Sequence, residues 1–357
     1  MSLLTRIFPT PDFLTLPAIG IDFSGRAMRF IELRKNNSTI TPIQYGEVII
    51  PDGCMQGGRI SNEKLFTEFL QQVKKQYNFK YVRVAIPESQ IYLFTLAIDS
   101  VVADDIRSAI ELSLEDNIPL KAIETVFDFS ILKVTGSTII VQVVAVAEAT
   151  VATLFSCFTM AGITPVSFEL DAQSIARAVL PKSVKGSHMI VDIGAHRTSI
   201  TVTAERGAVY TTTIDFGGQM LTQTLSTKLG ISVEQAEALK KTVGLAHSVD
   251  HPDFFDALLV SILPLKDEIN RRFIYWQEKK DQLGGFPSIE TIYICGGHSN
   301  LQGLTDYLSA ALKLPVVQAN PWSNCFTFEE YIPDMQYGPS MSYVTAIGLA
   351  LTDYLND

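Results

Sequence analysis

The sequence predicts an α/β fold made of two related lobes, and three observations carry that expectation. The chain has 357 residues, more than one ordinary hydrophobic core accommodates. Alternating apolar–polar runs exchange with amphipathic stretches, so strands and helices are mixed along the chain. Third, one pattern occurs twice, about half a chain apart. "AIGIDFSGRAMRFIEL" and "HMIVDIGAHRTSITVT" each hold an apolar entry strand, an aspartate (Asp22, Asp192), a small-residue turn and an alternating exit strand.

The elements follow in order. "KNNS" marks a turn between strands, and "SNEKLFTEFLQQVKKQYN" is an amphipathic helix with Leu65, Phe69, Val73 and Tyr77 on one face. "YVRVAIP" is a strand ended by Pro87. "DDIRSAIELSLEDNIP" is a helix with Asp104 or Asp105 near its start and Pro119 past its end. "TVFDFSILKV" and "STIIVQVVAVA" are strands around a turn at Thr135–Ser137, and the helix "EATVATLFSCFTMAG" closes at Gly162. In the second half a strand runs into Asp215, the pair Gly217-Gly218 and a helix ending at Gly230. "SVEQAEALKKTVG" opens with Ser232 and Gln235 in capping-box positions. "FFDALLVSILPLKDEINRRFIYWQEKKDQ" is a long helix expected to bend at Pro264. "TIYICGGHSNLQGLTDYLSAAL" is a buried strand, a Gly-Gly turn and a helix capped by Ser299 or Asn300.

Composition removes several function classes. With 47% hydrophobic and 18% charged residues the chain is globular and not disordered. A net charge of −10 gives a nucleic-acid backbone little to bind. Cys54, Cys157, Cys295 and Cys325 lie far apart without zinc spacing, which fits a reducing cytosol better than a disulfide framework. Pro9, Asp12 and Pro17 interrupt the N-terminal apolar residues, so a signal-peptide core fails. No clean run of ~20 apolar residues exists for a membrane span. A soluble protein is expected, with residues 1–17 as a terminal arm. His188, His247, His251 and His298 are scattered, which argues against a metal centre.

The glycines suggest phosphate chemistry. Glycines just after strands let backbone N–H groups approach a phosphate, and helix N-termini add a favourable field. An aspartate on each of two facing hairpins can hold Mg²⁺ through water, because Mg²⁺ takes few direct carboxylates.

The ordered set resembles the actin-like ATP-binding superfamily, the duplicated ribonuclease H-like fold of actin, Hsp70 and FtsA. It comprises the Asp22 hairpin, "ELDAQSIARAV", the Asp192 hairpin, "DFGG", "AEALK", "ICGG" and "AIGLAL". Within the superfamily it is most similar to the PilM family of type IV pilus assembly, in "DIGA" with Thr198 six residues on, "IDFGGQMLTQTL", "AEALK" and "GGHSNLQGLTDYLSAALKLPVVQANPW". The resemblance covers residues 18 to 355. It implies a first lobe over 18–79, a small α/β subdomain inserted over 80–167, and a connecting helix over 168–187. A second lobe over 188–340 and a C-terminal helix returning to the first lobe over 341–357 complete it. It implies ATP and Mg²⁺ as ligands, with phosphate and metal contacts at Asp22, Ser24, Gly25, Asp192, Gly194 and Thr198. Nucleotide contacts are implied at Gly217, Gly218, Glu237, Lys240, Gly296 and Gly297, the metal being held by Asp22 and Asp192 through water. Two departures stand out: Ser24 replaces a usual glycine, and His196-Arg197 occupy a turn that is usually small. Arg197 either neutralises phosphate charge or points into solvent, and the second reading is favoured.

Hydrolysis in this fold needs a residue that orients water. Glu169 and Asp171 are the nearest candidates, although their position suits a helix start better. Binding with slow or absent turnover is expected. The resemblance further implies a cytoplasmic adaptor peripheral to the inner membrane through partners. Its groove, between insertion and first lobe, would accept the cytoplasmic peptide of a PilN-like membrane protein, with Ile86, Ile91, Leu93 and Leu96 as candidate lining. Other platform proteins, the motor and copies of the chain are further partners to expect. A type II secretion platform is the related setting. The alternatives are an FtsA- or MreB-like filament protein, disfavoured because "LALTDYLND" is no basic amphipathic tail, and a small-molecule kinase, for which no segment offers a catalytic aspartate beside a substrate pocket.

Overall fold

A computed structural model describes residues 18–355 except 25, 37–38, 100–102, 205–206, 246–251 and 283–284. β1 (Ile19–Ser24), β2 (Ala27–Asn36) and β3 (Thr39–Ile49) form an antiparallel meander. The two-residue strands β4 (Met55–Gln56) and β5 (Arg59–Ile60) lead to α1 (Glu63–Tyr77). Asn62 caps α1 by accepting from the Leu65 N–H, and Asn78 closes it at φ 57°. β6 (Tyr81–Ile86) then runs parallel to β1.

A one-turn helix, Glu88–Gln90, opens the insertion. It comprises β7 (Ile91–Asp99), α2 (Ala103–Asn117), β8 (Thr125–Thr135) and β9 (Thr138–Ala147), with the sheet order β7-β9-β8. Ile98, Ile106, Ile110, Val141 and Val143 form its own core. The chain returns through α3 (Glu148–Met160) and β10 (Thr164–Leu170). The separate unit is narrower than the 80–167 expected. β6 and β10 belong to the first-lobe sheet, ordered β10-β6-β1-β2-β3, because β6 pairs in parallel with β1 and β10 in parallel with β6. α3 packs Leu154, Cys157 and Phe158 into the same core as Phe66 of α1.

α4 (Asp171–Val179) connects to β11 (Ser187–Ile193), β12 (Thr198–Ala204) and β13 (Gly207–Ile214). α5 (Gly218–Leu229), α6 (Val233–Thr242) and α7 (Pro252–Lys279) follow, and α7 runs on through Pro264 as one continuous helix. β14 (Ile289–Cys295), α8 (Leu304–Leu312) and β15 (Val316–Gln318) complete the second lobe. The α8 cap is Gly303 at φ 78°, not Ser299 or Asn300; Ser299 Oγ instead donates to the Gly296 carbonyl, 2.7 Å away.

The second sheet runs β15-β14-β11-β12-β13. Each lobe is thus an antiparallel meander of three strands extended by two parallel strands on the side of its first strand. The repeated sequence pattern is a repeated sheet. α9 (Val344–Ala350) returns to lie on β1 and α4. Glycines permit that approach: a Cβ on Gly20 would stand 2.0 Å from the Ala346 oxygen, and one on Gly348 would stand 1.8 Å from the Ser174 oxygen.

Candidate functional site

β1 and β11 are central strands, and each delivers its aspartate to one shared cleft of about 640 Å³. Asp22, Ser24, Asp192, Gly194, Gly296 and Gly297 all line it. Gly25 lies outside the described residues. Gly194 closes the second turn with its N–H on the Arg197 carbonyl, 2.9 Å away. Gly296 has φ +96°, and a Cβ there would sit 2.2 Å from Asp192 Oδ1, so only glycine brings this turn against the acid.

The antiparallel register sets Arg29 opposite Asp22. Arg29 donates to Ser24 Oγ at 2.5 Å and to Glu47 Oε2 at 2.7 Å. Burial raises the Asp22 carboxyl above its ordinary range despite Arg29. Burial first, then the Asp22 charge, push Asp192 up to about 7. Asp171 and Glu88 line the same cleft. Burial first, then Glu88, lift Asp171 to about 8. Glu88 is raised by burial, although its carboxylate accepts from Thr213 Oγ1. Five carboxylates, those of Asp22, Glu47, Glu88, Asp171 and Asp192, therefore line one cleft together with Arg29, while Arg26 and Arg197 pair with the exposed Asp52 and Asp215. A divalent cation relieves such repulsion, and these residues fit one. Among the described residues no three His, Cys, Asp or Glu side chains close into a metal cage, so a magnesium ion here would keep water in its shell.

The nucleoside half differs from the expectation. Thr198 is fully buried and donates to the Phe216 carbonyl at 2.7 Å. The Gly218 and Gln219 N–H groups, at the start of α5, are bonded to the Gly194 and Ala195 carbonyls at 3.0 and 2.9 Å. Lys240 donates to the Gly218 carbonyl and to Thr222 Oγ1 and pairs with Glu237 at 2.6 Å. Thr198, Gly217, Gly218, Glu237 and Lys240 are all absent from the cleft wall; His298 stands there instead. Its ring lies on Gly218, so that a Cβ there would be 1.9 Å from His298 Cδ2. Burial first, then Lys240, push this imidazole down to about 4, which keeps it neutral.

The two catalytic candidates separate. Glu169 accepts from Arg177 at 2.8 Å and from Ser167 at 2.9 Å, inside a network that ties β10 and α4 to Thr352 near the C-terminus. It does not line the cleft. Asp171 does, while its oxygens accept from the Ala172 and Glu88 N–H groups.

A second, smaller groove of about 210 Å³ lies in the first lobe, walled by β1, β4–β6 and α3 beside Gln90, where the chain enters the insertion. Phe23, Met55, Ile60, Pro87 and Leu154 give it an apolar lining. Ile86, Ile91, Leu93 and Leu96 are not in its wall, since they pack into the lobe core, the α4 junction and the insertion core. Sequence reasoning missed Arg29, Glu88 and His298. Hairpin register could have found Arg29, which lies seven residues after Asp22; no sequence signal singles out Glu88.

Two duplicated lobes that close an acidic, glycine-edged cleft between matching hairpins define an actin-like protein. The chain belongs to the type IV pilus assembly protein PilM family, whose profile it matches over residues 20–354. Among solved structures it is similar to the PilM–PilN type IV pilus biogenesis complex at 20% identity, over 95% of this chain and 98% of that one, with a TM-score of 0.76. It is similar in fold to MreB 5 of Spiroplasma citri bound to AMPPNP, at 14% identity over 95% and 96% of the two chains, TM-score 0.55. The ADP-bound MreB5 of the same organism gives 16% identity over 87% and 94%, TM-score 0.53. Among the described residues no helix is long and apolar enough to cross a membrane.

Proposed function

We propose that this chain is an ATP-binding adaptor of the pilus assembly platform, held at the cytoplasmic face of the inner membrane by a PilN-like partner. The observation that carries the nucleotide half is the convergence of Asp22 and Asp192 on one cleft that Arg29, opposite Asp22, also lines. Arg29 neutralises phosphate charge, the Gly194 and Gly296 turns allow close approach, and the paired acids orient a hydrated Mg²⁺. The cleft volume lies within the range of small-molecule sites. Asp171, kept protonated by burial first and then by the Glu88 charge, is a poor water-orienting base in this arrangement, which supports binding with slow turnover.

The partner half rests on family membership, on the likeness to a PilM–PilN complex and on the apolar groove beside Phe23 and Leu154, which suits an extended peptide with aliphatic side chains. Two titrations test the reading. Calorimetry with Mg-ATP should give binding that Asp192→Ala weakens at least about tenfold. A pulldown with the N-terminal peptide of a PilN-like protein should capture the chain. No heat from ATP removes the nucleotide claim, and no capture with or without ATP removes the partner claim.

A further inference from the structure

His298 lines the cleft at the point where its wall meets Gly218. Asp22, Asp192 and Gly194 line the open cleft, whereas Gly218 lies under the imidazole and, with Lys240 and Glu237 bonded on beyond it, reaches no cleft surface. The ring fills the notch left by the missing side chain of Gly218, while the His298 N–H anchors the turn to the Ile193 carbonyl at 3.0 Å. It is held there weakly, because its Nδ1 is buried with no hydrogen-bond partner. The groups behind it are already satisfied by one another, Lys240 by Gly218, Thr222 and Glu237, so nothing polar pulls the ring inward. A ring that fits by shape and leaves a nitrogen unpaired gains hydrogen bonds by swinging out.

We propose that His298 is a gate on the nucleoside subsite: its imidazole fills the space beside Gly218 where ribose and base would lie, and must rotate out before a nucleotide seats fully. This rests on the nucleotide reading of the cleft and adds a residue that sets affinity for the nucleoside and not for the phosphates. The apparent dissociation constant of a ligand is its intrinsic value divided by the open fraction. A gate open about one-tenth of the time therefore weakens ATP about tenfold, while leaving a ligand that needs only the phosphate half untouched.

The test uses the full chain and two probes, Mg-ATP and Mg-tripolyphosphate, in calorimetric or competition titrations. His298→Ala should tighten Mg-ATP about tenfold and leave Mg-tripolyphosphate unchanged. His298→Phe keeps the plane but adds bulk, so it should weaken Mg-ATP about tenfold, again with tripolyphosphate unchanged. Melting curves confirm that each variant is folded, and His298→Ser replaces the alanine variant should that one fail. Mg-ATP affinity that is equal or weaker in the small variants overturns the gate while leaving the nucleotide reading intact. Parallel changes for both probes overturn it as well, since the residue would then act on the phosphates. Absence of binding by either probe in every variant removes the nucleotide reading and the gate with it.

Discussion

Asp171 accepts two backbone N–H bonds, yet it is held up to about 8 by burial and by the Glu88 and Asp22 charges. Its ordinary value is 3.8, so between pH 4 and 8 the folded chain keeps a proton that the unfolded chain has lost. The folded state then binds more protons at this group, so its contribution to stability falls as pH rises through that window. Asn mimics the protonated acid and keeps one accepting oxygen. Asp171→Asn should therefore melt close to the parent near pH 4 and above it at pH 8, by at least about 1 kcal/mol or a few degrees. Thermal melts at both pH values check this, and a constant offset would mean the acid is not protonated. Arg29→Ala acts at the same scale and in the opposite sense: it removes the cation that pairs with Glu47 and faces Asp22 and Asp192, and should weaken Mg-ATP about tenfold in titration. These residues show what the sequence could disclose of the site. Asp22 and Asp192 were legible because an acid at the end of a buried strand has few structural uses. Thr198, Glu237 and Lys240 carried the right residue types, but their atoms are spent on Phe216, Thr222 and Gly218, and only three-dimensional hydrogen bonding decides that.

At the scale of elements, strands, helices and their order were legible because period-2 and period-3.6 patterns alternate cleanly and because Pro87, Gly162 and Gly230 punctuate them. The insertion's limits were not. β6 and β10 flank it in sequence but bond to each other and to β1, a non-local pairing that no local pattern encodes. The α4–α9 crossing was equally hidden. Gly348 has no positive φ, so its requirement is purely one of space, with the Ser174 carbonyl 1.8 Å from where a Cβ would sit. Backbone cannot yield as a flexible side chain does. Gly348→Ala should cost about 3 kcal/mol through overpacking, read as a lowered denaturant midpoint. Gly207→Ala is the control, since its nearest neighbour would be the Ala204 oxygen at an ordinary 3.6 Å; it should stay within about 0.5 kcal/mol. Equal effects at the two positions would mean that α9 does not pack on α4 this closely.

In the molecule as a whole, the two cavities are not independent. Phe23, Gly58, Ala85 and Pro87 line both the cleft and the apolar groove, so the two sites share one stretch of wall. Next along the chain, Glu88 spans three parts: its N–H bonds Asp171 at the start of α4, and its carboxylate accepts from Thr213 on β13 of the second lobe. The insertion begins at that residue and places Ile140 in the second-lobe core. Any change in lobe closure must therefore move or strain the groove's rim. If the nucleotide and the peptide of a PilN-like partner occupy these two sites, their affinities are thermodynamically linked, and the linkage is reciprocal. Saturating Mg-ATP should change the peptide dissociation constant about fivefold or more, and saturating peptide should change the ATP constant by the same factor. Paired titrations measure both. Equal factors larger than one would make Pro87 and Glu88 the hinge of a nucleotide-sensing adaptor. A factor of one in both directions would mean that the shared wall is rigid and that nucleotide and partner are carried without communicating.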